Sequence, residues 1–240
     1  MIDWLRRAAI DPGIELNGER VPIVLRQHKR ARRLTLRLAP DGSEVRLTVP
    51  HWAPRAQAIA FAHARAEWLA EQHAKVPRRA APGPGGKVLL RGSPVLIEWN
   101  EEASRAPRLT GGALSIGGPL AGLEGRLRRW LEREALALIE ADMRDYCTAA
   151  RLDPVPVALS RAQRRWGSCS DRARIRINWR LVQAPDFVRR SVVAHEVAHL
   201  VHFDHSPAFH ALLGDIYEGE IGVADRWLKE RGRSLYAAFG

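Results

Sequence analysis

His195-Glu196-Val197-Ala198-His199-Leu200-Val201-His202-Phe203-Asp204-His205-Ser206-Pro207-Ala208-Phe209 is the stretch on which the reading of this 240-residue chain turns. On a helix, residues four apart stack on one face, so His195 and His199 can hold a single metal ion while Glu196 sits one step round, beside an open coordination position. This is the HExxH arrangement. Zinc takes about four ligands, at roughly 2.0–2.1 Å for an imidazole nitrogen, and a catalytic site keeps one place for water. Two histidines are therefore too few. His202, His205, His210, Asp204, Glu218 and Glu220 all follow as sources of a third ligand. His202 shares the helix face but lies roughly 10 Å along the axis from His195 at 1.5 Å per residue, too far for one ion. With the helix ending near His202, a turn brings His205 back over the metal.

Working outward, Pro185 and Asp186 supply a helix start, and the helix is expected to run to about residue 202. Before it, residues 174–181 alternate as a strand, with Ile175, Ile177 and Trp179 on one face and Arg174, Arg176 and Asn178 on the other. A second strand is expected at 157–160. Residues 120–150 read as one long amphipathic helix carrying Leu127, Trp130, Leu131, Leu138 and Ile139 inward. A last helix is expected at 223–231. The first half is richer in strands: residues 14–50 alternate, with Leu34, Leu36 and Leu38 and then Val45, Leu47 and Val49 on either side of a Pro40-Asp41-Gly42 turn. Pro54 opens a helix to about residue 75, a Pro- and Gly-rich loop follows, and short strands are expected at 87–90, 95–99 and 113–116. The fold class is α+β. The chain divides into a β-rich part, residues 1–118, that need not fold separately, and a catalytic part, residues 119–240.

Composition sets bounds on this reading. With 46% apolar and 27% charged residues, neither disorder nor a collagen-like repeat fits. Cys147 and Cys169 form no CxxC pair, which sets aside a disulfide scaffold. No uncharged apolar run is long enough to cross a bilayer and no secretory leader is evident, so a cytoplasmic protein without membrane association is expected. The net charge is +11. It concentrates in two clusters: residues 20–37 hold seven cations and no acid, and residues 161–180 hold seven with one acid. Either can bring the protein near nucleic acid, and either can equally be a solvated face.

From the chain's own composition, HExxH arises by chance in roughly 2 of 100 such sequences, and with a third His at this spacing in roughly 1 of 1000. The ligand spacing is also that of metzincin proteases, which place a glycine where this chain has His202. The downstream methionine turn of that group is missing, since the only methionines are Met1 and Met143. A further set of residues carries a closer likeness. Arg165-Trp166-Gly167-Ser168-Cys169-Ser170, then Ile177-Asn178-Trp179-Arg180-Leu181, Pro185, HEVAHL and His205-Ser206-Pro207-Ala208-Phe209 resemble the YgjP-like metallopeptidase family, relatives of the SprT-like zinc proteases. The basic ARRLTLRL segment extends the resemblance to about residues 20–215. His210 departs from it, standing where the family usually has tryptophan.

The resemblance implies a zincin-like fold, with an active-site helix beside a small sheet and zinc held by His195, His199 and His205. A peptidase of this kind uses Glu196 as general base, and its substrate is a protein or peptide. An oxyanion stabiliser is also required, for which Arg165, His202 and Tyr217 are candidates. The strand at 174–181 either pairs with an extended peptide or is an ordinary core strand. Ser168 and Cys169 have no base in their own motif, so the RWGSCS run is read as a turn shaping the cleft. Two other functions remain in play: a metal-dependent phosphohydrolase such as a nucleoside triphosphate pyrophosphatase, and a non-catalytic DNA-associated protein. An all-imidazole ligand set speaks against the first, and Glu196 would have no task in the second.

Overall fold

Alternating apolar residues build the first part of the protein. The structure, a computed structural model, describes residues 12–76 and 82–239. Strands β1 (Gly13–Leu16), β2 (Glu19–His28), β3 (Thr35–Leu38) and β4 (Val45–Pro50) form a sheet in the order β1-β2-β4-β3. Asn17 and Gly18 both take positive φ, 53° and 82°, the backbone needed by the tight hairpin between β1 and β2. Ile14, Leu16, Val21, Ile23, Val45, Leu47 and Val49 share a core with Ala58 and Ala62 of α1 (Arg55–His63) and Leu69 of α2 (Ala66–Ala74). The single helix expected over 54–75 is thus two. Arg65 leaves helical geometry at φ −113° and ψ 19°, and the break lets both segments bury residues in one core. On the other face of the sheet Arg26 and Arg37 are exposed, and Arg46, opposite Arg37, pairs with Glu44 at 2.5 Å.

The chain divides into two compact units, Met1–Arg78 and Arg79–Gly240. The sequence reading drew its division at 118/119. In the second unit β5 (Lys87–Leu90), β6 (Ser93–Trp99), β7 (Arg108–Thr110) and β8 (Ala113–Ile116) form a sheet ordered β5-β6-β8-β7. Its Val88, Val95, Ile97, Leu114 and Ile116 join the same buried cluster as Leu127, Trp130, Leu131 and Ile139 of α3 (Leu123–Ala149). These strands complete the core of the second unit.

A third sheet positions the site. In it β11 (Ile175–Asn178) lies between β10 (Gly167–Cys169), antiparallel, and β9 (Val157–Ser160), parallel. Residues 174–181 are therefore not an edge available to a peptide: β11 is central, and the edge beside the helix that carries His195 and His199 is β10. The strand is also shorter than expected, because a 3-10 helix takes over at Trp179–Gln183. Asn178 is buried rather than outward-facing, since its Oδ1 caps that turn by accepting from the Arg180 N–H at 3.1 Å. Helices α4 (Asp186–Ala198), α5 (Pro207–Ile216) and α6 (Ile221–Arg231) follow. The architecture is α+β. No helix among the described residues is long and apolar enough to cross a membrane.

Candidate metal centre

Helix α4 carries the motif, and its sequence explains how it is held. Pro185 ends the preceding extended segment, Asp186 occupies the first turn, and Val188, Val192, Val193, Ala194, Val197 and Ala198 are buried. Only thirteen residues are helical. The helix ends at Ala198, with His199 as its cap at φ −68°, earlier than the expected residue 202. Tighter turns carry the chain on: Val201 N–H and His202 N–H both donate to the Ala198 carbonyl, at 3.2 and 3.0 Å. Positive φ is confined, among non-glycine described residues, to Asn17, Arg91, Arg151 and Ala173. His202 thus needs no left-handed backbone where metzincins place glycine.

The turn delivers His205 to the helix. His195 Nε2 stands 3.2 Å from His199 Nε2 and 3.3 Å from His205 Nε2, and the three side chains form the one His/Cys/Asp/Glu cluster of metal-binding geometry among the described residues. Ligands about 2.0–2.1 Å from a tetrahedral ion lie about 3.3–3.4 Å from one another. The two separations match that spacing. His199 Nδ1 lies 3.0 Å from the His202 carbonyl, which fixes the ring and leaves Nε2 for an ion. Burial, with the neighbouring His199 and His205, pushes the His195 imidazole down to about 4, so it is neutral and ready as a ligand at neutral pH.

Two residues beyond the motif complete the cluster. Ser206 caps α5, its Oγ accepting from the Phe209 N–H at 3.4 Å, and the helix start fixes the adjoining His205. Phe209 is fully buried, its ring 4.6–5.0 Å from those of His195, His199 and His205. Helix α5 was not anticipated, although Ser206-Pro207 is the signal that announces it. His210 touches the edge of the arrangement, its ring 6.4 Å from that of His205.

Glu196 is 6% exposed and lies against β10. A β-carbon built on Gly167 would fall 2.7 Å from Glu196 Cγ and 2.8 Å from its Cδ. Glycine in the RWGSCS run is therefore a close-approach residue for this carboxylate. Desolvation pushes the Glu196 carboxyl up to about 7, against the opposing pull of Arg165 and of the Cys169 backbone N–H that donates to it. Cys169 stands outside the histidine cluster; burial and the Glu196 charge raise its thiol, which makes it a poor nucleophile. Trp166 packs on Tyr236 at 5.8 Å between ring centroids.

The three candidate stabilisers part company. Arg165 is exposed and electrostatically coupled to Glu196. His202 contributes its carbonyl to His199. Tyr217, by contrast, is buried, and its hydroxyl donates to the Phe187 carbonyl at 2.8 Å. Phe187 precedes His195 by eight residues on α4, about 12 Å along the axis, so Tyr217 is tied to the wrong end of the helix for a transition-state contact.

An imidazole triad at the end of a buried helix, with a desolvated carboxylate held against the edge of a small sheet, defines a metal-dependent hydrolase. Residues 32–231 match the YgjP-like metallopeptidase domain, and the chain belongs to that family. No match was found among curated proteins or among solved structures.

Proposed function

We propose that this protein is a zinc peptidase in which His195, His199 and His205 hold the ion and Glu196 is the general base. The observation that carries the reading is the convergence of three Nε2-bearing rings beside a buried carboxylate. Nitrogen-only donors favour zinc over magnesium or calcium, which take oxygen ligands. Bound there, zinc supplies a Lewis acid that polarises the scissile carbonyl and acidifies water. Glu196 accepts the proton of the attacking water and passes it to the leaving amine. Arg165 is the candidate that can face developing negative charge.

The experiment compares wild type with Glu196→Gln on unfolded protein and on nucleoside triphosphates. The expected result is zinc-dependent peptide hydrolysis that falls by about 10²–10⁴-fold in the variant, with zinc retained. Turnover undiminished in the variant, or confined to the triphosphates, contradicts the reading. The exposed Arg26 and Arg37 on the open face of the first sheet favour a second, separate proposal, contact with nucleic acid. Its check is salt-sensitive retention on DNA, lost when both are changed to Glu.

A further inference from the structure

The strip of chain from Ala162 to Gly167 carries Arg165 and ends at the glycine that Glu196 abuts, and distant residues tie it down at both ends. Two donors meet at the Ala162 carbonyl: Asn178 Nδ2 at 2.7 Å and the Tyr236 hydroxyl at 3.2 Å. Asn178 Nδ2 also lies 3.3 Å from the Tyr236 oxygen, so the two side chains brace each other. At the other end the Trp166 carbonyl accepts from the Asn178 backbone N–H at 2.7 Å, and the Trp166 ring packs on that of Tyr236 at 5.8 Å between centroids. Tyr236 closes a 3-10 turn, Gly232–Tyr236, that follows α6. Gly232 leaves room for the same indole: a β-carbon built there would stand 2.9 Å from Trp166 Cζ2.

The turn is itself anchored in the core. Leu235 is fully buried and its carbonyl accepts from Gln183 Nε2 at 3.1 Å, while the Arg180 guanidinium lies 4.5 Å over the Tyr236 ring and donates to the Phe239 carbonyl at 3.1 Å. Residues 232–239 lie beyond the span, 32–231, that matches the family domain. Arg165 is exposed, so what fixes its place is the backbone on either side of it. We infer that Tyr236 is a positioning residue for the reaction: its hydroxyl and ring hold Ala162 and Trp166, and the strip so held keeps Arg165 where negative charge develops on the substrate. The inference deepens the peptidase reading and rests on it for the reaction. A charge set in place beforehand costs no reorganisation at the transition state, so loss of that placement falls on kcat rather than KM.

The test uses the zinc-loaded full chain and compares Tyr236→Phe, Gly232→Ala and Tyr217→Phe with wild type, well below their melting temperatures. Tyr236→Phe keeps the ring and removes the hydroxyl, so it is expected to fold, to hold its zinc and to melt about 2–4 °C lower. Its kcat on unfolded protein falls about tenfold, with KM within about twofold. Gly232→Ala, whose methyl displaces the Trp166 ring, lowers kcat in the same way. Tyr217→Phe loses a buried hydroxyl bond of the same kind and keeps its kcat, as a bond serving folding alone would. Added to Arg165→Gln, Tyr236→Phe costs less than about twofold more, because it acts through that side chain. Hydrogen exchange supplies a readout free of turnover: the amides of residues 162–169 and of Asn178 exchange faster in Tyr236→Phe, while those of α4 are unchanged. Wild-type kcat in both Tyr236→Phe and Gly232→Ala, a loss that recurs in full on Arg165→Gln, or exchange of the strip unmoved by Tyr236→Phe overturns the positioning role and leaves the peptidase reading standing. A zinc-loaded wild type that cleaves no peptide overturns the peptidase reading, and the positioning role with it.

Discussion

The two ends of α4 carry two charged clusters built on opposite principles. At its N-terminal end Arg189 is almost fully buried and bonds Asp142 at 2.7 Å and Asp186 at 2.5 Å, while Arg190 reaches Asp142 at 2.9 Å, Asp145 at 3.0 Å and Glu218 at 2.5 Å. Every charge there has an opposite partner. At the C-terminal end three imidazoles point their nitrogens at one another and a carboxylate is buried against a glycine. Among the described residues no ion pair holds Glu196 as the arginines hold the acids; Arg165 and the Cys169 N–H only partly offset its burial. The first cluster clamps the helix to α3; the second leaves interactions to be made by an ion and a substrate. A polar cluster that is already satisfied reads as structure, and one held open reads as function.

The contrast breaks first at Asp142. Asp142→Ala strands two buried or half-buried arginines and is expected to cost about 4 kcal/mol, lowering the melting temperature by on the order of 10 °C. Calorimetry that finds no change would make the N-terminal cluster as dispensable for folding as the account makes the histidines.

At the other end the sign reverses. The Glu196 carboxyl is raised from 4.5 to about 7 in the folded metal-free protein, so its contribution to stability is full below pH 4.5 and lost as pH rises through 7. Metal-free Glu196→Gln should match wild type near pH 4.5 and be more stable by about 3 kcal/mol above pH 7. Denaturant melts across that range check it, and a stability difference independent of pH would contradict it. His195 works in the opposite direction: lowered from 6.5 to about 4, it favours the folded state above pH 6.5 and loses that contribution as pH falls.

Gly167→Ala drives a methyl group into Glu196 and is expected to cost about 2 kcal/mol. It should also lower turnover, measurable beside its melting curve, because the carboxylate must shift. Tyr217→Phe is the smallest change, about 1 kcal/mol for one buried hydrogen bond, with turnover unaltered. A large loss of turnover there, without loss of stability, would move Tyr217 from the structural end of the helix to the catalytic one.

What the sequence disclosed follows the same division. Patterns local to one element were readable: the 3.6-residue period of α3, the alternation of β3 and β4, and the spacing of His195, His199 and His205. Contacts between distant segments were not. The parallel pairing of β2 with β4 leaves no mark in alternation, which would look alike in either direction. Residues 174–181 showed a strand but not its neighbours, so the edge belonged to β10 instead. Gly167 and Glu196 lie 29 positions apart, and only their packing explains the glycine. Arg189 and Asp142 lie 47 positions apart on two helices, and a helical period marks apolar faces and says little of a buried ion pair.

Metal content decides the central claim. Elemental analysis of the purified full chain should find about one zinc per protein in wild type and in His202→Ala, whose side chain is not required because the backbone carbonyl holds His199, and none in His205→Ala. A wild type without zinc, or a His205→Ala protein that keeps its full complement while His202→Ala loses it, would contradict the account.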